Sequence, residues 1–213
     1  MRIVLRGRLK KRLHREVAAL QDEVADAVYA VENNAVLHDG TSIWRCYSGN
    51  RFSEDLDFYA PSPHFTKAFA QKISEHGLTL SKLKQTNNLV FSKITDGNTE
   101  VRAEFNFSTA KKGVPAEYER IDGSTMTVFT LTPEELFLEK ISAYYNRRLI
   151  RDAYDVFFLS SKITPSSQLK AAATEFTARA QPPLDEENLK TIIYAGAIPS
   201  FRQITAALQR WQQ

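Results

Sequence analysis

The 213-residue chain has one cysteine, Cys46, so no disulfide can close within it, and a reducing cytoplasm is the expected setting. Its four histidines, at positions 14, 38, 64 and 76, are scattered, and with a single cysteine they make no zinc-type spacing. No apolar run approaches the roughly 20 residues that a bilayer span needs, and no apolar leader opens the chain, so no membrane association is expected. Internal repeats and low-complexity stretches are absent as well. What remains is an ordinary globular composition, 43% hydrophobic and 25% charged, with length enough for one large domain or two small ones with real cores. The net charge is only +3, but residues 1–15 carry seven Lys or Arg and no acid. Such an arm suits the phosphate backbone of a nucleic acid, or it is simply solvated.

The most informative stretch is residues 40–58, Gly-Thr-Ser-Ile-Trp-Arg-Cys-Tyr-Ser-Gly-Asn-Arg-Phe-Ser-Glu-Asp-Leu-Asp-Phe. A small-residue turn at Gly40, Thr41 and Ser42 that could open a helix is followed by a strand-like alternation. Ser53, Asp55, Asp57 and Tyr59 fall on one side, and Phe52, Leu56 and Phe58 on the other. Phosphoryl chemistry assisted by a metal uses both parts. Backbone N–H groups at a helix start hold phosphate, and paired carboxylates share hard divalent cations. Asp39, just ahead of the turn, suits an N-cap, or it adds a repelling charge beside bound phosphate.

Periodicity predicts a helix over residues 14–33, a short strand over 35–38, a helix over 41–47 and the carboxylate strand over 55–59. A helix over 65–75 ends at Gly77. Strands follow around 78–83, 89–94 and 100–107, the last two joined through Asp96-Gly97-Asn98, a strong hairpin signal. A further strand covers 125–130. From Pro133 the pattern is helical to the end, punctuated at Pro165, Pro182, Pro183 and Pro199. This order predicts an α+β protein: a core with a mixed β-sheet flanked by helices over residues 1–131, then a C-terminal helical region over 132–213. In the strand over 100–107, Arg102, Glu104 and Asn106 share one face. Glu104 is the only acid centred in it, hence a candidate third carboxylate or a solvated surface residue.

A second block runs Glu139-Lys140-Ile141-Ser142-Ala143-Tyr144-Tyr145-Asn146-Arg147-Arg148-Leu149-Ile150-Arg151-Asp152-Ala153-Tyr154-Asp155. Taken as one helix, it places Tyr144, Arg147, Arg151 and Asp155 within about 60° of Lys140. That is a cationic stripe fit for a triphosphate, or a solvated face; a break near Asn146 would end it there.

The two blocks, in this order, resemble the two motifs of the AbiEii/MenT group of nucleotidyltransferase toxins, relatives of the polymerase-β-like nucleotidyltransferases. The likeness spans roughly residues 36–160. Where that group usually has Gly-Gly, this chain has Asp39-Gly40. The resemblance implies a nucleotidyltransferase core that moves a nucleoside monophosphate from an NTP to a hydroxyl acceptor, with Mg²⁺ as cofactor and pyrophosphate released. It implies an RNA acceptor such as a tRNA 3′ end, and a cognate antitoxin as partner. It assigns Asp55, Asp57 and Glu104 to the metal, with Glu104 also the candidate general base, and Lys140 to the β- and γ-phosphates. Gly40, Thr41, Ser42, Arg51, Ser53, Arg147, Arg151 and Asp155 are the remaining candidates for the nucleotide, with Arg147 and Arg151 either at the phosphates or holding Asp152 or Asp155 in structural ion pairs. Arg51 contacts phosphate or anchors its loop through Glu54. Trp44, Tyr144 and Tyr145 either stack on a base or belong to the core. A small-molecule or protein acceptor on the same fold, and a regulatory nucleotide-binding module without turnover, are the rival expectations.

Overall fold

In a computed structural model, which describes residues 3–109 and 111–211, the contacts divide into two compact units. The first comprises Met1–Cys46 and Phe52–Leu131; the second comprises Tyr47–Arg51 and Thr132–Gln213. The division therefore falls between Leu131 and Thr132, with a five-residue excursion into the second unit just ahead of the carboxylate strand.

The first unit runs α1 (Leu5–Arg8), α2 (Arg12–Val31), β1 (Val36–His38), α3 (Asp39–Cys46), β2 (Leu56–Tyr59), α4 (Thr66–Glu75), β3 (Thr79–Gln85), β4 (Leu89–Thr95), β5 (Glu100–Asn106), β6 (Val114–Glu119) and β7 (Thr125–Thr130). Its seven strands form one mixed sheet in the order β3-β4-β5-β2-β1-β7-β6. The pairs β2·β5 and β1·β7 are parallel and the others antiparallel. Alternation divides the sheet's faces. Leu56, Phe58, Val90, Ile94, Val101, Ala103 and Phe105 are buried, whereas Asp57, Tyr59, Arg102, Glu104 and Asn106 between them stay half-buried. The apolar face lies under α2 and α4, where Phe105 stacks on Phe58 at 5.2 Å and meets Phe65 and Phe69 edge-on.

One polar cluster is buried within this unit. Arg45 of α3 pairs with Asp22 of α2 and donates through Nε to the Tyr118 hydroxyl of β6 at 3.0 Å. Its guanidinium lies 4.5 Å from the Trp44 ring centroid and 4.7 Å from that of Tyr118. Burial pushes the Asp22 carboxyl above its usual range, and Arg45 acts against that shift. The cluster ties two helices to an edge strand.

In the second unit, α5 (Pro133–Arg147) opens on a capping box: the Thr132 hydroxyl accepts from the Glu135 N–H, and the Glu135 carboxylate accepts from the Thr132 N–H. It ends at Arg148, which is left-handed at φ 52°, and Leu149 is extended. Then follow α6 (Ile150–Ser160), α7 (Ser167–Arg179), α8 (Leu189–Ile192) and α9 (Phe201–Trp211). Tyr144 packs against Phe176 and Phe201 in the core. The segment 47–51 is held by a bridge from Arg51 to Ile193 and by the Tyr194 hydroxyl, which donates to the Gly49 carbonyl at 2.5 Å.

The fold is the expected one, a mixed sheet flanked by helices with a helical region after it. Two local expectations fail. The block 139–155 is not one helix: the left-handed Arg148 and extended Leu149 split it, so the angular stripe linking Lys140 to Arg151 and Asp155 does not exist. And β6 was not anticipated, because Pro115 argues against a strand unless that strand lies at an edge, which is where β6 sits.

Candidate active site

The carboxylates of the first motif sit on the polar face at the middle of the sheet. Asp57 of β2 lies in parallel register with Glu104 of β5 and opposite His38 of β1. Asp55, two residues upstream, accepts a short hydrogen bond from Arg102 Nη2, the residue two before Glu104. The His38 ring stacks on Tyr59 at 4.0 Å, walling the site on the β1 side. The β2·β5 pairing thus places Asp57 and Glu104 side by side, with Asp55 next to them beside a cation.

The electrostatics of this place are unbalanced. The Asp57 carboxyl is pushed up to about 7, first by burial and then by the like charge of Asp39, with Asp55 adding to it; His38 and Arg102 act the other way but do not cancel it. Asp39 and Asp55 bring like charge to Asp57, and carboxylates that offer oxygen donors only are the kind of donor set that suits a hard divalent cation such as magnesium.

Asp39 adopts φ 58°, at the turn where β1 passes directly into α3. That left-handed conformation is costly for most L-residues, and Asp and Asn are among the non-glycine residues that adopt it most readily. The glycine usual in the resembling motif therefore has a backbone reason, and Asp39 keeps the conformation while adding a charge that Asp57 feels. Thr41 and Ser42 follow in the first turns of α3, both buried. The Thr41 hydroxyl donates to the Asp55 carbonyl, and the Ser42 hydroxyl meets Thr130 Oγ1, which itself donates to the Leu37 carbonyl at 2.7 Å. Both hydroxyls, expected at the γ-phosphate, are engaged within the unit; they clamp α3 onto β2 and β7. Ser53 offers its carbonyl to Gln21 Nε2 at 3.0 Å, while His14 stacks on Phe52 at 3.8 Å, so α2 fixes the approach to Asp55.

The second motif builds a separate cluster in its own unit. Lys140, 2% exposed, reaches Asp152 at 3.2 Å and Asp155 at 2.9 Å. Arg51 forks onto Asp155 through Nε and Nη2, at 2.6 and 2.5 Å. Arg147 forks onto Asp152 at 2.7 Å through both nitrogens. Three cations, two from α5 and one from the segment 47–51, thus meet two fully buried aspartates. Sequence reasoning named Arg51, Lys140, Arg147 and Asp155 as nucleotide contacts and gave Arg147 the alternative of an ion pair with Asp152 or Asp155, which is the one it makes with Asp152; it did not see that Lys140 and Arg51 join the same two aspartates. The Arg151 Nε is buried and makes no hydrogen bond among the described residues.

Of the aromatic candidates, Trp44 and Tyr144 are core, Trp44 edge-on to Phe52 at 5.0 Å, whereas Tyr145 is 41% exposed. Burial pushes the Cys46 thiol up to about 12, which leaves it unreactive. In the basic arm, Arg8 pairs with Glu119 and Arg12 with Glu16, while Arg6, Lys10 and Lys11 are exposed; Arg2 lies outside the described residues.

A family model, the nucleotidyl transferase AbiEii toxin of type IV toxin–antitoxin systems, matches residues 26–210. Among solved structures, JHP933 from Helicobacter pylori superposes with a TM-score of 0.67 at 18% identity, over 95% of this chain and 91% of that one. The nucleotidyltransferase toxin MenT4 from Mycobacterium tuberculosis superposes with a TM-score of 0.61 at 20% identity, over 94% of this chain and 89% of that one. At these identities the superpositions speak for the fold. No curated protein matches the chain in sequence. No helix among the described residues is long and apolar enough to cross a membrane.

Proposed function

This chain belongs to the AbiEii nucleotidyl transferase toxin family, and we propose that it transfers a nucleoside monophosphate from an NTP to the terminal hydroxyl of an RNA, such as a tRNA 3′ end. The observation that carries the reading is the in-register pair Asp57 and Glu104, with Asp55 beside them, on the polar face of the sheet. Asp55, Asp57 and Glu104 would hold magnesium, which when bound neutralises phosphate oxygens and lowers the pKa of an attacking hydroxyl. Asp55, which here pairs with Arg102, would exchange that contact for the ion. Glu104, half-buried and next to Asp57, is placed to take the proton from the acceptor hydroxyl. The backbone N–H groups at Gly40, Thr41 and Ser42 face the donor phosphates, because the two side-chain hydroxyls are already engaged. From the family resemblance, Lys140 serves the β- and γ-phosphates, with Arg51, Arg147 and Arg151 as its supporting cations.

A toxin of this family needs restraint in its host, so a cognate antitoxin protein and a cytoplasmic setting belong to the same proposal. The test is incubation with each labelled NTP, with and without Mg²⁺, in the presence of cellular RNA, protein and small metabolites in turn. The reading requires Mg²⁺-dependent label in RNA. Label in protein or in a small molecule supports another acceptor on the same fold, and bound but untransferred NTP supports a regulatory module.

A further inference from the structure

The catalytic row does not stop at Glu104. Following the pairing register outward, Glu104 faces Phe91 of β4, and Phe91 faces Lys84 of β3. One step along the strands, Arg102 faces Lys93, and Lys93 faces Lys82. Two parallel rows therefore cross the polar face from β2 to the outer edge: Asp57, Glu104, Phe91, Lys84, and Asp55, Arg102, Lys93, Lys82. Three strand spacings separate their ends, about 14 Å. Charge along them changes sign once, from acidic at the centre to basic at the edge.

Lys82 and Lys84 are exposed, and neither makes an ion pair among the described residues. Lys93 contacts Glu100, which also accepts from the Ser81 hydroxyl at 3.0 Å, so the middle of the second row is fixed in place. Phe91 is half-buried, its ring 5.4 Å from the Lys82 ammonium. Lysines on an edge strand can serve only to discourage sheet-to-sheet pairing. That role does not require an aromatic ring between them and the carboxylates, on the same face. Basic side chains interleaved with a partly open aromatic are the combination that holds single-stranded nucleic acid, through backbone charge and base stacking.

We propose that the face formed by Phe91, Lys82, Lys84 and Lys93 is the docking track for the acceptor, a single-stranded nucleic-acid end with a free hydroxyl. The proposal rests on the transfer reading above. In an in-line displacement the attacking and leaving oxygens lie on opposite sides of the phosphorus. With the donor phosphates at the start of α3, beside β1, the acceptor arrives from the β5 side, and β4 and β3 continue that side. A base stacks on Phe91 and the flanking phosphates meet Lys82 and Lys84, so the terminal hydroxyl is delivered towards Glu104.

The test uses the full chain and a 5′-labelled 12-residue oligoribonucleotide of mixed sequence. Binding is read by fluorescence anisotropy across a salt series, for wild type, for Lys82→Glu with Lys84→Glu, for Phe91→Leu, and for a control with Lys162→Glu and Lys190→Glu in the second unit. The track predicts that the β3 variant loses about tenfold or more in affinity and that its salt slope flattens by roughly 1.4, the value for two single-strand phosphate contacts. Phe91→Leu, which keeps the strand apolar, weakens binding with the slope unchanged. The control and the Mg²⁺–NTP affinity stay within about twofold. Equal loss in the control, or undiminished binding by the β3 variant, overturns the track. Label transfer to RNA by wild type judges the acceptor reading separately. Transfer with undiminished binding by the β3 variant rejects the track alone, and absence of any RNA labelling rejects the reading and the track together.

Discussion

Both motifs of this chain end in a pair of aspartates, and the two pairs live under opposite electrostatic conditions. Asp152 and Asp155 are fully buried, yet Lys140, Arg147 and Arg51 bring three positive charges to them. Asp55 and Asp57 sit on the polar face of the sheet, where Asp55 pairs with Arg102 and Asp39 adds a further negative charge beside Asp57. The Asp57 carboxyl consequently moves up to about 7. A buried pair that carries its own cations is a completed structural object. A pair with a further acid pressing on it has a use for a cation from solution. The comparison teaches that paired acids in a motif are read by what surrounds them, not by their spacing.

The largest effect should come from Asp55 and Asp57. Asp57→Asn or Asp55→Asn should lower transfer by about a thousandfold or more, on the order of 4 kcal/mol of transition-state stabilisation. Folding should not suffer. The Asp57 carboxyl rises from its ordinary 3.8 to about 7 in the fold, so the protein loses stability as pH climbs through that window, and asparagine is exempt. Melting at pH 8 without added metal should therefore be no lower in Asp57→Asn than in wild type. A marked drop would place Asp57 among the structural residues.

The compensated pair should respond the other way. Asp155→Asn removes the partner of two buried cations, and breaking a buried pair from one side costs about 3–5 kcal/mol. Denaturant melts should show that loss. Unchanged stability would mean the cluster is not what holds 47–51 and α5 to α6 within the second unit.

Lys140→Met sharpens the contrast, since the residue is claimed both by its aspartates and by the donor phosphates. If it serves phosphate, Mg²⁺–NTP affinity by calorimetry should fall by about 1.5–3 kcal/mol. If affinity holds and only stability falls, Lys140 belongs wholly to the cluster.

The smallest effect is expected at the turn. Asp39→Gly relieves a left-handed residue, which should stabilise the fold by about 1–2 kcal/mol. It also removes a like charge from beside Asp57, so that carboxyl should titrate lower in the variant, by NMR of labelled aspartate. No movement would show that Asp39 contributes nothing to the raised Asp57 carboxyl.

How far the sequence could be read differs between these same regions. The carboxylate strand was legible because period-two alternation from Phe52 to Tyr59 leaves few alternatives, and the hairpin after it because Gly97 supplies the positive φ that the turn needs. Glu104 stood out as the one acid centred in an alternating strand, and the register puts it beside Asp57. In the second motif the helical period was sound only as far as Arg147. Nothing in Arg-Arg-Leu signals a left-handed residue, since no glycine or proline marks the stop. The cation cluster was illegible for a stronger reason. It needs Arg51, about ninety residues before Lys140, and the detour of 47–51 into the second unit is decided by tertiary contacts at Ile193 and Tyr194. The same holds for Asp22, Arg45 and Tyr118, each of which reads as an ordinary surface or strand residue until the three meet.

The measurement that bears most directly on Asp55 and Asp57 is a magnesium titration by calorimetry, with a non-hydrolysable NTP present, on wild type and Asp57→Asn. Wild type should bind, and the variant should lose about a hundredfold or more in metal affinity, because it forfeits a ligand and the charge that calls for the ion. Equal magnesium affinity in the two proteins would contradict the account, since the crowded carboxylates of β2 would then not be where the metal goes.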